Sequence, residues 1–344
     1  MNNYMLYVFD NLIKTTIVCS FGICLLLFLK IYFFKRFSKR FNYYIWLVIV
    51  FRMLLFLFNY TVMYEVKEPK ENTVGNNITQ IDISIDNDFM LYLAYLWLFV
   101  TIVIAVYTFI KYTRFKNLVV DVSYDIEDND INCIYKNLLK ELNIKKKIEL
   151  RGSDELVSPA GMGLFKSYIF LPDYPYSKDE LTWILKHELM HFKNKDILIK
   201  FLVLSVRIIY WFNPLVYVMS NKVNLDCELC CDESVLIDCS LKNKKEYALA
   251  LIKSIKLSKN YNSGILTTEF NKTSLEKRLD SIVKKKGKSG ILVLLILITL
   301  FSVTYFNFES ISFDNSNYLR NIGILEKTGA DLKEEDDISM RVVN

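Results

Sequence analysis

The only two histidines of this 344-residue chain, His187 and His191, lie four residues apart, and Glu188 directly follows the first of them. On a helix, positions four apart share a face, so both imidazoles can reach one ion. Two imidazoles suit Zn²⁺, and a neighbouring glutamate can accept a proton from a water that the ion polarises. This His-Glu-x-x-His spacing occurs in zinc proteases, but short motifs also arise by chance. Two ordinary histidines on a helix are therefore the alternative.

Independent signals predict a helix around the two histidines. Ser177 is a good N-cap, and Glu180, three residues later, completes a capping box. Apolar residues then recur at helical spacing, at Leu181, Ile184, Leu185 and Met190. The helix needed to bring both imidazoles to one face is thus expected without reference to the motif.

A catalytic zinc site needs a third protein ligand and one open position. The chain has no third histidine, so this ligand must be a carboxylate or a thiolate. Asn213-Pro214 is a typical helix start, and a helix from there to about residue 238 puts Glu228 and Asp232 on one face. Glu228 can complete a His₂Glu site, and Asp232 can accept the N–H of a ligand histidine. Two acids on a solvated helix face are the alternative.

Cysteines compete for the same role. The chain has seven, and four of them crowd into one stretch, at Cys227, Cys230, Cys231 and Cys239. An odd number in this arrangement does not indicate a disulfide framework, so a reducing compartment is the simpler interpretation. We interpret these thiols as small buried residues between packed helices. Ligation of the metal by one of them stays open as a lesser alternative.

The composition indicates a membrane protein. Hydrophobic residues make up 52% of the chain and aromatic residues 15%, and the mean hydropathy is +0.22. Four apolar runs are long enough to cross a bilayer, at about 12–34, 43–63, 89–110 and 290–306. They predict three transmembrane helices within 1–116 and a fourth at 289–307. Arg52, inside the second run, should have a partner in the bundle, in a functional or a purely structural role.

The charges between these runs predict the orientation. Residues 35–42 hold four basic residues and no acid, whereas loop 64–89 holds six acids and two lysines. By the positive-inside rule the N-terminus, loop 64–89 and tail 308–344 lie outside, and 111–288 lies in the cytoplasm. We therefore expect a multi-pass protein of the cytoplasmic membrane, in contact with the lipid bilayer.

Residues 117–288 read as a cytoplasmic domain of mixed helices and strands. The pattern predicts a helix at 130–144, a strand at 147–151 and a hairpin at 157–171. Such a strand beside the histidine helix could pair with an extended substrate peptide. The apolar run at 197–212 is short and carries two basic residues, which favours a helix on the membrane or against the bundle over a fifth crossing.

Three ordered blocks resemble a known family, the integral-membrane gluzincin metalloproteases typified by bacterial beta-lactam sensor-transducers of the BlaR/MecR type. The blocks are 158–172, 187–191 and 211–233, although Ser167 stands where a proline is expected. The resemblance implies a multi-span α-helical membrane protein with a cytoplasmic α+β zincin domain. It also implies Zn²⁺ bound by His187, His191 and Glu228, with Glu188 as catalytic base and Asp232 behind a ligand histidine.

The resemblance further implies a signal transducer that cleaves itself and then inactivates a DNA-binding repressor of the winged-helix type, without touching nucleic acid itself. The best-known members carry a penicillin-binding sensor domain after the fourth span, but the tail 308–344 has no Ser-x-x-Lys motif. We therefore expect no covalent sensing of beta-lactams by this chain alone. A housekeeping membrane protease and a non-catalytic receptor are the alternatives, and homo-oligomerisation is left open.

Turn-forming residues suggest where self-cleavage would occur. Residues 258–273 include Gly264 and several polar residues, and they read as an exposed loop with an extended stretch at 264–270. Tethering near the site would raise the effective concentration of this segment. An ordinary surface loop is the alternative.

Overall fold

The computed structural model describes residues 2–58, 60–65, 87–261, 268–284, 287–288, 290, 293 and 306–311. The helices in this part of the chain are α1 (Asn2–Tyr32), α2 (Lys39–Tyr44), α3 (Trp46–Leu54), α4 (Asn87–Asp121), α5 (Asn129–Glu141), α6 (Lys178–Lys193), α7 (Asp196–Ile209), α8 (Pro214–Val235), α9 (Leu241–Tyr261) and α10 (Thr268–Val283). The strands are β1 (Tyr60–Glu65), β2 (Tyr124–Asp125), β3 (Ile148–Gly152), β4 (Ala160–Met162), β5 (Ser167–Leu171) and β6 (Phe306–Ile311). The described chain is therefore mostly helical, with a small mixed sheet.

The chain divides into two units. The first comprises Met1–Leu57 and Ile85–Thr299, and it contains all the helices named above. The second comprises Phe58–Ser84 and Leu300–Asn344. In this second unit β1 and β6 form a parallel pair, with Tyr60 opposite Phe306.

Two helices are long and apolar enough to cross a membrane, judged by length and composition. They are α1, which contains all but the last two residues of the run predicted to span at 12–34, and most of α4, which contains the run at 89–110. The run at 43–63 is not one continuous helix, which corrects the prediction. It is divided among α2, α3, a 3₁₀ turn at Phe56–Phe58 and β1. Residues 60–65 include two tyrosines, a threonine and a valine, a composition that favours a strand over a helix.

Most of the predicted fourth span, 290–306, and most of the outer loop 64–89 and tail 308–344 lie outside the described residues.

The predicted loop at 258–273 is wrong at both ends. Helix α9 continues to Tyr261 and α10 begins at Thr268, so only 262–267 lie between the helices, outside the described residues. Scattered polar residues are weak loop signals beside lysine and leucine, which favour helices, and Gly264 is the only strong helix breaker in the segment.

A four-stranded sheet lies beside the histidine helix. Its strand order is β2-β3-β5-β4, with β3 parallel to β5 and β4 antiparallel to β5. The predicted hairpin is present, and Gly163 makes its turn possible. Its φ is +92°, and a Cβ there would lie 1.9 Å from the Lys166 carbonyl oxygen, so a larger residue does not fit. Strand β4 stands last in the strand order, so it is an edge strand of this sheet.

The core of the first unit joins this sheet to α5, α6, α8 and α9. Its buried members include Leu138, Ile148, Ile169, Leu185, Leu189 and Val235. Helix α6 begins as predicted with a capping box. The Ser177 hydroxyl accepts from the Glu180 N–H, and the Glu180 carboxylate accepts from the Ser177 N–H. Helix α8 begins with the Asn213 side chain accepting from Leu215 N–H. Helix α7 packs against α3, α6 and α8, as expected for a helix buried against the bundle.

Candidate metal centre

Helices α6 and α8 bring three predicted ligand side chains together. The Nε2 atoms of His187 and His191 are 3.2 Å apart. The Glu228 carboxylate oxygens lie 3.4 Å from His187 Nε2 and 3.7 Å from His191 Nε2. Ligand atoms held 2.0–2.1 Å from one ion at tetrahedral angles are about 3.3 Å apart. The three groups therefore fit one small divalent ion.

The Nδ1 atom of each imidazole, on the other edge of the ring, has a polar partner of its own. His191 Nδ1 lies 2.7 Å from Oδ2 of Asp196, which is almost completely buried. His187 Nδ1 lies 2.9 Å from the Tyr247 hydroxyl, which itself donates a short hydrogen bond to Asp232. Because Tyr247 donates to the carboxylate, its oxygen must accept from His187 Nδ1–H. A bound metal would take the Nε2 lone pair of each ring, and the proton left on Nδ1 would be held by these partners.

This arrangement refines the prediction for Asp232. Its Oδ1 is 3.6 Å from His187 Nδ1, so it supports the ring through Tyr247 and not by a direct bond. The direct bond to a candidate ligand histidine is made instead by Asp196, which the sequence reasoning did not single out. Each imidazole nevertheless has a carboxylate behind it.

The cysteines lie on the Nδ1 side of the rings. Cys231 Sγ is 3.4 Å from His187 Nδ1, and Cys227 Sγ is 4.0 Å from His191 Nδ1. Cys231 with both histidines, and Cys227 with His191 and Glu228, form two groups whose ligand atoms lie within 4.8 Å of one another. However, both Nδ1 atoms are already engaged by Tyr247 and Asp196. Glu228 is the group that faces the two Nε2 atoms, so we favour its carboxylate as third ligand.

Two cations approach Glu228. Arg278, on α10, places Nη1 3.2 Å from Glu228 Oε2, and Lys200, on α7, places Nζ 3.8 Å from Glu228 Oε1. Without a metal, burial would lower the pKa of His187 and of His191, but the neighbouring Cys231 and the acids Glu228 and Asp196 outweigh it and raise both pKa values, so both imidazoles are protonated. Burial alone would raise the pKa of Glu228, but the hydrogen bond from His187 and the charges of His191 and Arg278 outweigh it and hold this pKa well below its ordinary value. The carboxylate is therefore ionised, as a metal ligand must be.

Glu188 is half-buried and lines a large cavity together with the candidate ligands. The cavity has a volume of about 1860 Å³, and its wall includes His187, His191 and Glu188. Strand β4 borders it: a Cβ on Gly161 would lie 2.8 Å from the Phe192 ring and 3.7 Å from Glu188 Oε2. The backbone of an edge strand thus passes close to the carboxylate that was predicted to be the base.

The side chains predicted to be ligands lie together, whereas most of the groups behind them were not predicted from the sequence. Asp196 had a local signal, since it follows His191 by five residues. Lys200, Tyr247 and Arg278 had none, because they reach the site from other helices through tertiary packing.

Comparison with known proteins identifies the family. Residues 10–282 match the family of BlaR1 peptidases, M56, so the chain belongs to it and the resemblance to BlaR/MecR proteases is confirmed. Membership implies metallopeptidase activity. The residues described above fit a bound metal.

The relatives include regulatory and resistance proteins. The regulatory protein BlaR1 of Staphylococcus aureus is 26% identical over 320 residues, which are 85% of this chain and 54% of that protein. The regulatory protein BlaR1 of Bacillus licheniformis is 28% identical over 183 residues, 50% of this chain and 30% of that protein. The methicillin resistance mecR1 protein of Staphylococcus aureus is 30% identical over 154 residues, 43% of this chain and 26% of that protein. This chain therefore spans about half or less of the length of these relatives.

Proposed function

We propose that this member of the M56 family is a zinc endopeptidase of the cytoplasmic membrane. His187, His191 and Glu228 would hold the zinc, and Glu188 would serve as catalytic base. The observation that carries the proposal is the convergence of two imidazole Nε2 atoms and one carboxylate within 3.7 Å, with both Nδ1 atoms already held by other groups. A four-ligand structural site is less suitable, because Cys227 and Cys231 approach the Nδ1 atoms and not the Nε2 atoms, which leaves one position beside Glu228 and the two Nε2 atoms for water.

When bound, zinc would polarise a peptide carbonyl and lower the pKa of a water molecule. Glu188 accepts the proton that leaves the water as its oxygen adds to the carbonyl carbon. Glu188 then delivers this proton to the amide nitrogen as the carbon–nitrogen bond breaks. The carboxylate returns to its starting state, so one residue serves as base and then as acid.

The substrate would lie extended along β4. No described strand pairs with the outer edge of β4, and Gly161 brings its backbone close to Glu188. A peptide added to that edge would gain main-chain hydrogen bonds, and the apolar cavity beside it would take alternate side chains. The cavity wall extends to Phe109 and Tyr112 on α4, which supports a substrate approaching close to the membrane surface.

We propose the four-span topology, with the N-terminus outside and 117–288 in the cytoplasm. The second crossing would then be made by α2, α3 and the 3₁₀ turn and would end before β1. The parallel pairing of β1 with β6 supports the topology, since it puts the chain after this crossing and the tail on the same side. Labelling of introduced single cysteines from outside should reach residues 75 and 330 and should miss residues 155 and 265. External labelling at 265 would overturn the topology.

We propose signal transduction as the role. The relatives are named as regulatory and resistance proteins, and we extend that role to this chain. Self-cleavage would occur in or beside 262–267, and a winged-helix repressor would be the downstream target. Membership of this family favours signalling over housekeeping proteolysis. Fragments of wild type and Glu188→Ala, compared by mass spectrometry, test self-cleavage: a boundary within 258–285 found only in wild type supports it, and identical fragments exclude it.

Metal content tests the site itself. Purified full-length wild type should hold one zinc per chain by elemental analysis, and His187→Ala and Glu228→Ala should lose it. Cys227→Ser and Cys231→Ser are matched controls on the same helix as Glu228, and they should keep zinc. Retention in Glu228→Ala with loss in Cys231→Ser would move the third ligand to the thiol. Zinc-free wild type with no proteolysis would instead favour a non-catalytic receptor.

A further inference from the structure

Arg278 is the best-buried cation at the metal centre, and the proposed mechanism assigns it no role. It is 8% exposed and comes from α10, far in sequence from the ligand helices. Its Nε and Nη2 atoms each donate a 2.8 Å hydrogen bond to a different carboxylate oxygen of Asp232. This bidentate clamp fixes the plane of the guanidinium.

The remaining N–H groups point to the ligand atoms. Nη1 lies 3.2 Å from Glu228 Oε2, and Nη2 lies 3.4 Å from His187 Nε2. Arg278 also lines the same cavity as His187, Glu188 and Glu228. An oriented positive charge therefore stands where the wall of the substrate cavity meets the candidate ligands.

The neighbouring donors are less suitable for contact with a substrate. The Tyr247 hydroxyl is committed to Asp232 and His187. Lys200 contacts only Glu228 at the site, at 3.8 Å, and its side chain is 45% exposed and not clamped by a second acid. Only Arg278, among the described cations, combines a rigid clamp with contacts to two of the three ligand residues.

We propose that Arg278 stabilises the negative charge that develops on the carbonyl oxygen of the peptide bond under attack. This rests on the proposed function. As the water oxygen adds to the carbonyl carbon, the π electron pair moves to the carbonyl oxygen and the released proton goes to Glu188. Nη1–H then donates to that oxygen, and the charge is neutralised without any rearrangement because Asp232 already holds the guanidinium. When the carbon–nitrogen bond breaks, the pair returns to form the new carbonyl.

Two inhibitor-like probes separate this role from a merely structural one. The first is an N-phosphoryl dipeptide with apolar side chains, whose phosphoryl oxygens resemble the charged tetrahedral intermediate. The second is the mercaptoacetyl derivative of the same dipeptide, which offers a sulfur to the metal and has no charged tetrahedral oxygens. Dissociation constants for both, together with zinc content, are measured on full-length protein in nanodiscs.

Arg278→Met should weaken the phosphoryl probe roughly 100-fold and the mercaptoacetyl probe by less than about threefold, with zinc retained. The affinity of Arg278→Lys for the phosphoryl probe should lie between those of wild type and Arg278→Met. Lysine keeps the positive charge but lacks the planar guanidinium that binds Asp232 with two hydrogen bonds. The single variant leaves Asp232 buried without its cation, so Asp232→Asn/Arg278→Met is measured alongside and should show the same selective loss. Lys200→Met is the matched control for removal of one cation beside Glu228.

Equal losses for both probes would make Arg278 a structural support of the ligands and overturn the proposal. No loss for the phosphoryl probe, or a selective loss in Lys200→Met instead, would also overturn it. Wild type that holds no zinc and binds neither probe would refute the proposed function, and with it this role. Wild type that holds zinc and binds both probes keeps the proposed function intact whatever the variants do.

Discussion

The apolar helices and the metal centre distribute polarity in opposite ways. Helix α4 exposes large apolar side chains, and Tyr92 and Phe99 are 74% and 65% accessible. The metal centre instead buries Asp196, Asp232 and Arg278. Exposed apolar area of this kind is unfavourable in water and suits a lipid surround, whereas each buried charge needs a partner. The contrast teaches that the two regions are stabilised by different surroundings and must be tested by different substitutions.

Buried polar contacts join the two regions. Lys30, near the end of α1, forms a short ion pair with Asp226 on α8, and Trp46 Nε1 donates to the same carboxylate at 2.7 Å. Asp226 precedes Glu228 by two residues. Within the bundle, Arg52 donates to the Thr15 hydroxyl at 3.3 Å, which gives the arginine of the second run a partner on α1. The ligand helix is therefore tied directly to an apolar helix.

The largest expected effect lies in the metal centre. Glu188→Ala should lower the rate of peptide hydrolysis about 10²- to 10⁴-fold with zinc retained, because it removes only a proton-transfer group. Asp179→Ala, an exposed acid in the first turn of the same helix, is the matched control and should leave the rate unchanged. Initial rates on one peptide with both proteins measure the difference. Equal rates in Glu188→Ala and wild type would remove Glu188 from catalysis.

The groups that bond to the imidazole Nδ1 atoms should have the next largest effect. Asp196→Asn should weaken zinc binding about 10- to 100-fold, because it removes the carboxylate that orients His191. Tyr247→Phe should weaken it less, since His187 keeps Asp232 at 3.6 Å. Competition with a chromophoric chelator gives both affinities. A larger loss in Tyr247→Phe than in Asp196→Asn would reverse the assignment of these supports.

The contact between the regions is tested by its charge balance. Asp226→Ala should lower the free energy of unfolding by about 1–3 kcal/mol, because it leaves the partly buried ammonium of Lys30 without its acid. Lys30→Met/Asp226→Leu removes both charges and should lower the free energy of unfolding much less than Asp226→Ala does. Chemical denaturation of the purified proteins measures both. Equal destabilisation would mean that side-chain packing, and not the unpaired charge, dominates at this contact.

The smallest effect is at the start of α6. Ser177→Ala should cost about 1 kcal/mol of unfolding free energy, because it removes half of the capping box. Chemical denaturation measures this difference.

Burial would raise the pKa of Glu180, but hydrogen bonds from Lys253 and the Ser177 backbone outweigh it and lower this pKa. A lowered pKa in the folded state gives stability that is present above the ordinary glutamate pKa of about 4.3 and lost as pH falls below it. The cost of Glu180→Gln should therefore shrink on acidification, and a cost that does not change with pH would contradict this.

Local signals were sufficient wherever a few neighbouring residues determine the outcome. The capping box at Ser177 and the Asn213-Pro214 start set two helix ends, and helical spacing then put His187 and His191 on one face. These features depend on backbone hydrogen bonding within one or two turns, so the sequence alone contained them. Helical spacing also put Glu228 and Asp232 on one face of α8, but the approach of Glu228 to the histidines depends on how α8 packs against α6.

Tertiary structure decided what depends on contacts between distant segments. The run at 43–63 is apolar enough for a span, but the folded chain divides it and pairs residues 60–65 with β6. Tyr247 between Asp232 and His187, and Arg278 against Asp232, come from helices whose own sequence signals carry no mark of the site. A side chain gains such a partner only when the packing of whole helices sets their separation, and periodicity along one helix contains no information on that separation.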